Sequence, residues 1–206
     1  MIKRLLILFC LFLSGIPQAI AATLTSYETG NDAVYELGCG GSGCASQERR
    51  AAQSFQLGAA ATVDSLQLYL SRGADGGATG VSVRIETNSG STPSGTLAHA
   101  NATCTMNHAD INTNASIEFE TCTFASSFSL NASTTYWIVA KMTTPTTDRN
   151  YYWAYDGSSP SYANGNGATS IIGSGSQPSW TAQSGHDALF KVMGTSASRR
   201  RVMVVS

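Results

Sequence analysis

Apolar and polar residues alternate one for one along most of this chain from residue 53 onward. In Val63-Asp64-Ser65-Leu66-Gln67-Leu68-Tyr69-Leu70, Leu66, Leu68 and Leu70 share one side, while Gln67 and Tyr69 take the other. Val81-Ser82-Val83-Arg84-Ile85-Glu86 alternates without a break, and Ile117, Phe119, Thr121 and Thr123 oppose Glu118, Glu120, Cys122 and Phe124. A period of two puts successive side chains on opposite faces, as in a half-buried strand. Tyr136-Trp137-Ile138-Val139-Ala140 is apolar on both sides, which predicts a central strand covered on two faces. Runs at 150–156 and 188–193 complete the set.

Clusters of Gly, Asn, Ser and Pro separate these runs, as in Gly73-Ala74-Asp75-Gly76-Gly77 and Asn164-Gly165-Asn166-Gly167. Such residues supply the left-handed or pre-bent backbone that tight turns require. The pattern predicts about eight or nine strands and no convincing helix beyond the leader, with residues 46–54 the one place open to a short helical turn. The expected fold is all-β: an antiparallel two-sheet sandwich of jelly-roll type. No linker divides the chain, so one domain is expected.

The ends change the picture. Lys3 and Arg4 precede an apolar run at 5–16, Pro17 breaks it, and Ala19-Ile20-Ala21 offers the small-x-small pattern of a signal peptidase site. Residues 1–22 therefore read as a signal peptide, cut after Ala21 or Ala22. The run is short of the roughly 20 residues a spanning helix needs, so no transmembrane anchor is expected after cleavage. Residues 23–194 form the expected sandwich domain and 195–206 a basic tail. The body carries 13 acidic against 7 basic side chains, a net of −6, and Arg199, Arg200 and Arg201 lie in the tail. An acidic body lacks the basic face that nucleic acid demands. The tail reads first as a solvated, frayed end, and in the alternative its Val202, Val204 and Val205 suit a strand that docks beside a sheet edge of this protein or a neighbour.

Beyond the leader stand Cys39, Cys44, Cys104 and Cys122. An even number in an exported chain favours disulfides, with three connectivities open. The local pairing joins Cys39 to Cys44 across a glycine-rich turn, and Cys104 to Cys122 on two runs that read as hairpin partners. Zinc is the alternative, but paired C-x2-C knuckles are missing.

Several motifs together are similar to the choice-of-anchor group of bacterial exported domains, most closely the one lettered R. They are Ala52-Gln53-Ser54-Phe55-Gln56-Leu57 followed by the run at 62–70, Val83-Arg84-Ile85-Glu86-Thr87 leading to Thr92-Pro93-Ser94-Gly95, Leu130-Asn131-Ala132-Ser133-Thr134-Thr135-Tyr136-Trp137, and Tyr151-Tyr152-Trp153-Ala154-Tyr155-Asp156. The resemblance implies a non-enzymatic β-sandwich, secreted or associated with the bacterial cell surface. The chain departs from the group's pattern after Gly194, where no Leu-Pro-x-Thr-Gly signal or apolar span follows, so release or non-covalent association is expected.

Candidate chemistry is sparse. His99, His108 and His186 lack a G-x-S-x-G elbow, and His186-Asp187 reads as a turn before the last strand rather than half of a relay. Glu118 and Glu120 form a pair on one strand face, better explained by solvent than by glycoside hydrolysis. No cofactor is implied. Structural calcium on loop carboxylates (Asp32, Asp75, Asp110, Asp148, Asp187) is the one metal the sequence leaves open, though no run has the EF-hand spacing. Among the aromatics, Tyr151, Trp153, Tyr155, Tyr162 and Trp180 are the candidates for ligand binding, since flat rings stack on sugars. Tyr151, Trp153 and Tyr155 share one strand face with Tyr152 on the other, and one of those faces must be core, so at least half the aromatic set is expected to be structural. Trp137 belongs to the two-faced strand and is expected in the core. The chain therefore reads as a binding protein without chemistry of its own: a structural or adhesive module whose partner is a surface glycan or another envelope protein. The alternative is a carbohydrate-binding module, which requires Tyr and Trp rings on an exposed flat platform.

Overall fold

The computed structural model describes residues 21–40, 48–73, 79–113, 115–144, 148–172 and 179–196. Fourteen strands lie within them: β1 (Ala22–Tyr27), β2 (Ala33–Gly40), β3 (Glu48–Phe55), β4 (Ala61–Arg72), β5 (Gly80–Ser89), β6 (Thr92–Leu97), β7 (Thr103–Asn107), β8 (Glu118–Leu130), β9 (Tyr136–Met142), β10 (Asp148–Asp156), β11 (Gly167–Ile172), β12 (Trp180–Gln183), β13 (Asp187–Ala188) and β14 (Phe190–Ser196). One turn of 3-10 helix, His108–Asp110, interrupts them. No helix among the described residues is long and apolar enough to cross a membrane. The all-β, two-sheet expectation holds. The expected number of strands was too small, because β1, β2, β6, β7, β11 and β12 are short or lack strict alternation. The one stretch left open to a helical turn, 46–54, is strand over its described part: Glu48–Phe55 is β3, held between β11 and β9.

All strand pairs are antiparallel. The first sheet runs β2-β10-β4-β8 and forks at β4. Leu70–Arg72 of β4 pair with β10, while the rest of that edge pairs with β14, which in turn holds β1. Leu189 bridges the fork: its N–H donates to the Ala154 carbonyl at 3.0 Å, and its own carbonyl accepts from Tyr69 N–H at 3.2 Å. The second sheet runs β12-β11-β3-β9-β5, with β6 and β7 sharing the outer edge of β5. It curls into a half-barrel and brings β12 and β6 back toward each other.

The main core lies between the sheets. Leu66, Leu68 and Leu70 of β4, Val81, Val83 and Ile85 of β5, and Ile138 of β9 are fully buried there, as their alternation predicts. On β8 the buried face is that of Cys122 and Phe124, while Phe119 packs against Tyr69 with ring centroids 4.9 Å apart. A second, smaller cluster sits on the opposite face of the curled sheet. There Ala52, Trp137, Val139 and Ala168 are buried, and Trp180 packs against them. Trp137 is 2% exposed, in keeping with its expected place in the core.

Cys104 and Cys122 are bonded, with Cα atoms 5.9 Å apart. The pairing was expected, but the reason was not the right one. β7 pairs with β5 and β8 pairs with β4, so the two strands belong to different sheets and form no hairpin. The bond therefore staples the sheets together along one edge of the sandwich. Cys44 and the side chain of Cys39 lie outside the described residues, as do residues 1–20 and 197–206 of the leader and tail. The terminal strand runs to Ser196, two residues past the expected domain boundary.

Replacing Cys104 and Cys122 together by alanine is expected to remove about 3 kcal/mol of stability, the loop-closure contribution for a bridge spanning 18 residues. Urea unfolding of variant and parent measures this. Coincident midpoints would mean that the staple constrains nothing.

Candidate functional site

The half-barrel opens at one end into a recess of about 660 Å³. Ser54 and Gln56 at the end of β3, Thr135 and Trp137 at the start of β9, and Asn88, Gly90 and Ser91 at the β5–β6 turn form its floor and one side. Residues 160–166, between β10 and β11, form the facing wall, with Ser184 and Asp187 beside them. Trp137 points its indole N–H at Asn88 Oδ1, 2.8 Å away, and the Asn88 amide donates to the Gly90 carbonyl. Gln56 donates to Thr135 Oγ1. The floor is thus held by its own hydrogen bonds.

Three carboxylates fasten the connection between β10 and β11, of which the wall is part. Asp32 accepts from the N–H groups of Gly157 and Ser158 at 2.8 and 3.1 Å. Asp156 accepts from Ser158 and Ser159 through Oδ1, and from the Tyr27 hydroxyl at 2.7 Å through Oδ2. Asp187 accepts from Tyr162 N–H at 2.8 Å. Ser54 closes the far end by bonding both the N–H and the carbonyl of Asn166. Two glycines permit this closeness. A Cβ on Gly30, which sits at φ +83°, would fall 2.1 Å from Asp156 Oδ2, and one on Gly165 would fall 2.0 Å from the Ser54 carbonyl oxygen.

The electrostatics follow from this packing. Asp187 is 4% exposed, and burial pushes its carboxyl above the usual range; the neighbouring Asp156 carboxylate adds to the rise, and the Tyr162 N–H offsets part of it. Asp32 moves the other way, held below its usual range by the Ser158 side chain and the Gly157 N–H.

Most of the rings expected to bind ligand are placed elsewhere. Trp153 is 0% and Tyr151 1% exposed, so neither has a face to offer. Trp153 donates its indole N–H to the Leu189 carbonyl at 2.8 Å and thereby locks the fork in the first sheet. The Tyr151 hydroxyl bonds His108 Nδ1 and the Thr79 carbonyl. Their burial has a plain cause: β10 lies between β2 and β4, and its Tyr151–Trp153 face is the one turned toward the opposing sheet. Tyr155 stacks on Tyr35 and His186 at 4.3 and 4.2 Å. Trp180 packs on the small cluster. Only Tyr162 of the five lines the recess, and its ring is anchored against Tyr27 and Phe190. No flat aromatic platform results from these five.

Two of the other candidates are committed to structural bonds, whereas the buried Nδ1 of His186 has no hydrogen-bond partner among the described residues. His108 lies between Arg72 and Tyr151, at 3.0 and 2.8 Å. Glu120 accepts from Asn112 N–H, and burial raises its pKa. Among the described residues no group of three or more His, Cys, Asp or Glu side chains is arranged to hold a metal ion. Of the loop carboxylates considered for calcium, Asp75 and the side chain of Asp148 lie outside the described residues. Sequence reasoning missed Asn88, Asn164, Asn166, Ser54 and Thr135 as site residues. Their only signal was turn composition, which serves folding equally well.

No family model matches this sequence, and no curated protein matches it either.

Asp187→Asn keeps an acceptor for Tyr162 N–H and removes the buried charge. A carboxyl whose pKa is raised by folding contributes stability at low pH that is lost as pH rises through the folded pKa. The variant is therefore expected to melt higher than the parent at about pH 7.5, with the gain fading toward about pH 3.5. Thermal melts across that range check the sign, and a gain that grows on acidification would contradict it.

Proposed function

We propose that this chain is an exported, non-catalytic β-sandwich of the bacterial envelope with a structural or adhesive role, of the choice-of-anchor kind. One observation carries the reading. Three side chains with chemical potential are tied up in structural bonds, namely His108 between Arg72 and Tyr151, Asp187 on the wall of the recess and Glu120 on Asn112, while His186 is stacked on Tyr155 with its Nδ1 buried. A group that works as a general base needs access to a substrate proton, and the first three have partners already. The loss of the aromatic platform to the core favours this reading over a platform-type carbohydrate module.

Two further features support it. A disulfide between sheets suits an oxidising compartment outside the cytoplasm. β1 begins at Ala22, so cleavage after Ala21 leaves that strand whole. The orders β2-β10-β4-β8 and β3-β9-β5-β7 support the jelly-roll connection, in which eight strands alternate between two four-stranded sheets.

The test uses purified protein lacking the leader. It is expected to be retained saturably on bacterial envelopes and to leave chromogenic ester, glycoside and peptide substrates intact. Turnover that disappears in Asp187→Asn or His108→Ala would replace this reading with an enzymatic one.

A further inference from the structure

The recess at the mouth of the half-barrel carries an inference that rests on the adhesive reading and names what the module would grip. We propose that it is a binding site for a neutral saccharide.

The lining chemistry decides the class. Among the described residues it contains no Lys, Arg or Glu, and the one carboxylate among them, Asp187, is buried and occupied by Tyr162 N–H. An anionic ligand would find no cation to pair with, and a cationic one no free carboxylate. Apart from Trp137, Tyr162, Pro160 and Ala163, the lining is otherwise amide, hydroxyl and backbone, groups that donate and accept at once, as a sugar hydroxyl does. A largely apolar ligand would leave these groups unpaired, at a cost to affinity.

The site is also built in advance. Its floor and wall are fixed by the Trp137–Asn88, Gln56–Thr135, Ser54–Asn166 and Asp187–Tyr162 bonds, so little ordering entropy is lost on binding. Against that fixed frame, Asn164 and Asn166 present exposed side-chain amides at the wall, with the Ser91 and Ser184 side chains at the rim. A volume of about 660 Å³ falls within the range of small-molecule sites. This differs from an aromatic platform: Trp137 serves as part of the floor, while the polar rim supplies the contacts.

The experiment is titration of the isotope-labelled protein with neutral trisaccharides of mannose, galactose, glucose, xylose and N-acetylglucosamine, beside a sialylated oligosaccharide and a neutral peptide. At least one neutral saccharide is expected to shift the Trp137 indole signal while leaving that of Trp153 unmoved. Neither Asn164 nor Asn166 sits at positive φ, so the double variant Asn164→Ala, Asn166→Ala should keep the parent's melting temperature. It is expected to bind that saccharide about tenfold more weakly or worse, the loss for two hydrogen-bonding side chains. The inference is overturned if no neutral saccharide moves Trp137, if the double variant binds as well as the parent, or if only the acidic glycan or the peptide occupies the recess. Retention on envelopes without saccharide binding would remove this inference and leave the adhesive reading standing. Saccharide binding without retention would do the reverse.

Discussion

Two strands in the middle of the second sheet, β3 and β9, carry apolar side chains on both faces, and burying the second set is the constraint the rest of the molecule answers to. Ala51 and Phe55 of β3, with Ile138 and Ala140 of β9, enter the main core. Ala52, Trp137 and Val139 point the other way and would meet water in an ordinary two-layer sandwich. Indole and valyl surface left wet costs on the order of 25 cal/mol per Å². The sheet removes that surface by curling, with β11 and β12 added beyond β3 to bring Ala168 and Trp180 over these side chains. The recess is where that curl stops short of closing.

The wall of the recess shows how an acidic protein uses its charge. Backbone N–H groups in the connection between β10 and β11 would otherwise depend on water, and Asp32, Asp156 and Asp187 take them up instead. Hydrogen bonds to ionised acceptors are stronger than neutral ones, which gives a connection without secondary structure a fixed course. The repulsion between Asp156 and Asp187 is the penalty of placing two carboxylates on paired strands.

Much of this architecture was legible in the residues and some was not, for identifiable reasons. β5 and the Leu66–Leu70 part of β4 were readable because apolar and polar side chains alternate there, and β9 because Tyr136-Trp137-Ile138-Val139-Ala140 is apolar on both faces, which also foreshadows the curl. β3 was not, since Glu-Arg-Arg-Ala-Ala-Gln-Ser-Phe has weak strand propensity and owes its conformation to the two strands that hold it. The aromatic residues misled in a consistent way. Burial of an indole or phenol is permitted by a partner for its polar atom, and the Leu189 carbonyl and His108 that serve Trp153 and Tyr151 are 36 and 43 residues away in sequence. No local pattern reports contacts of that range. The amides of the recess were hidden for the opposite reason, because Asn beside Gly reads first as a turn.

The staple between Cys104 and Cys122 also sets how the molecule yields to a pull. β1 and β14 lie antiparallel, with Ala22 opposite Gly194, so the chain enters and leaves the sandwich at the same end. Tension across those ends opens their ladder one bond after another, like a zipper, and asks for little force at each step. Unravelling that travels inward from either side must then halt where the two sheets are covalently joined. The 18-residue separation behind the bridge, roughly 60 Å of extended chain, stays withheld from the stretching strand. Under such a load the first give is in the terminal strands, and the limit on the extension is a covalent one.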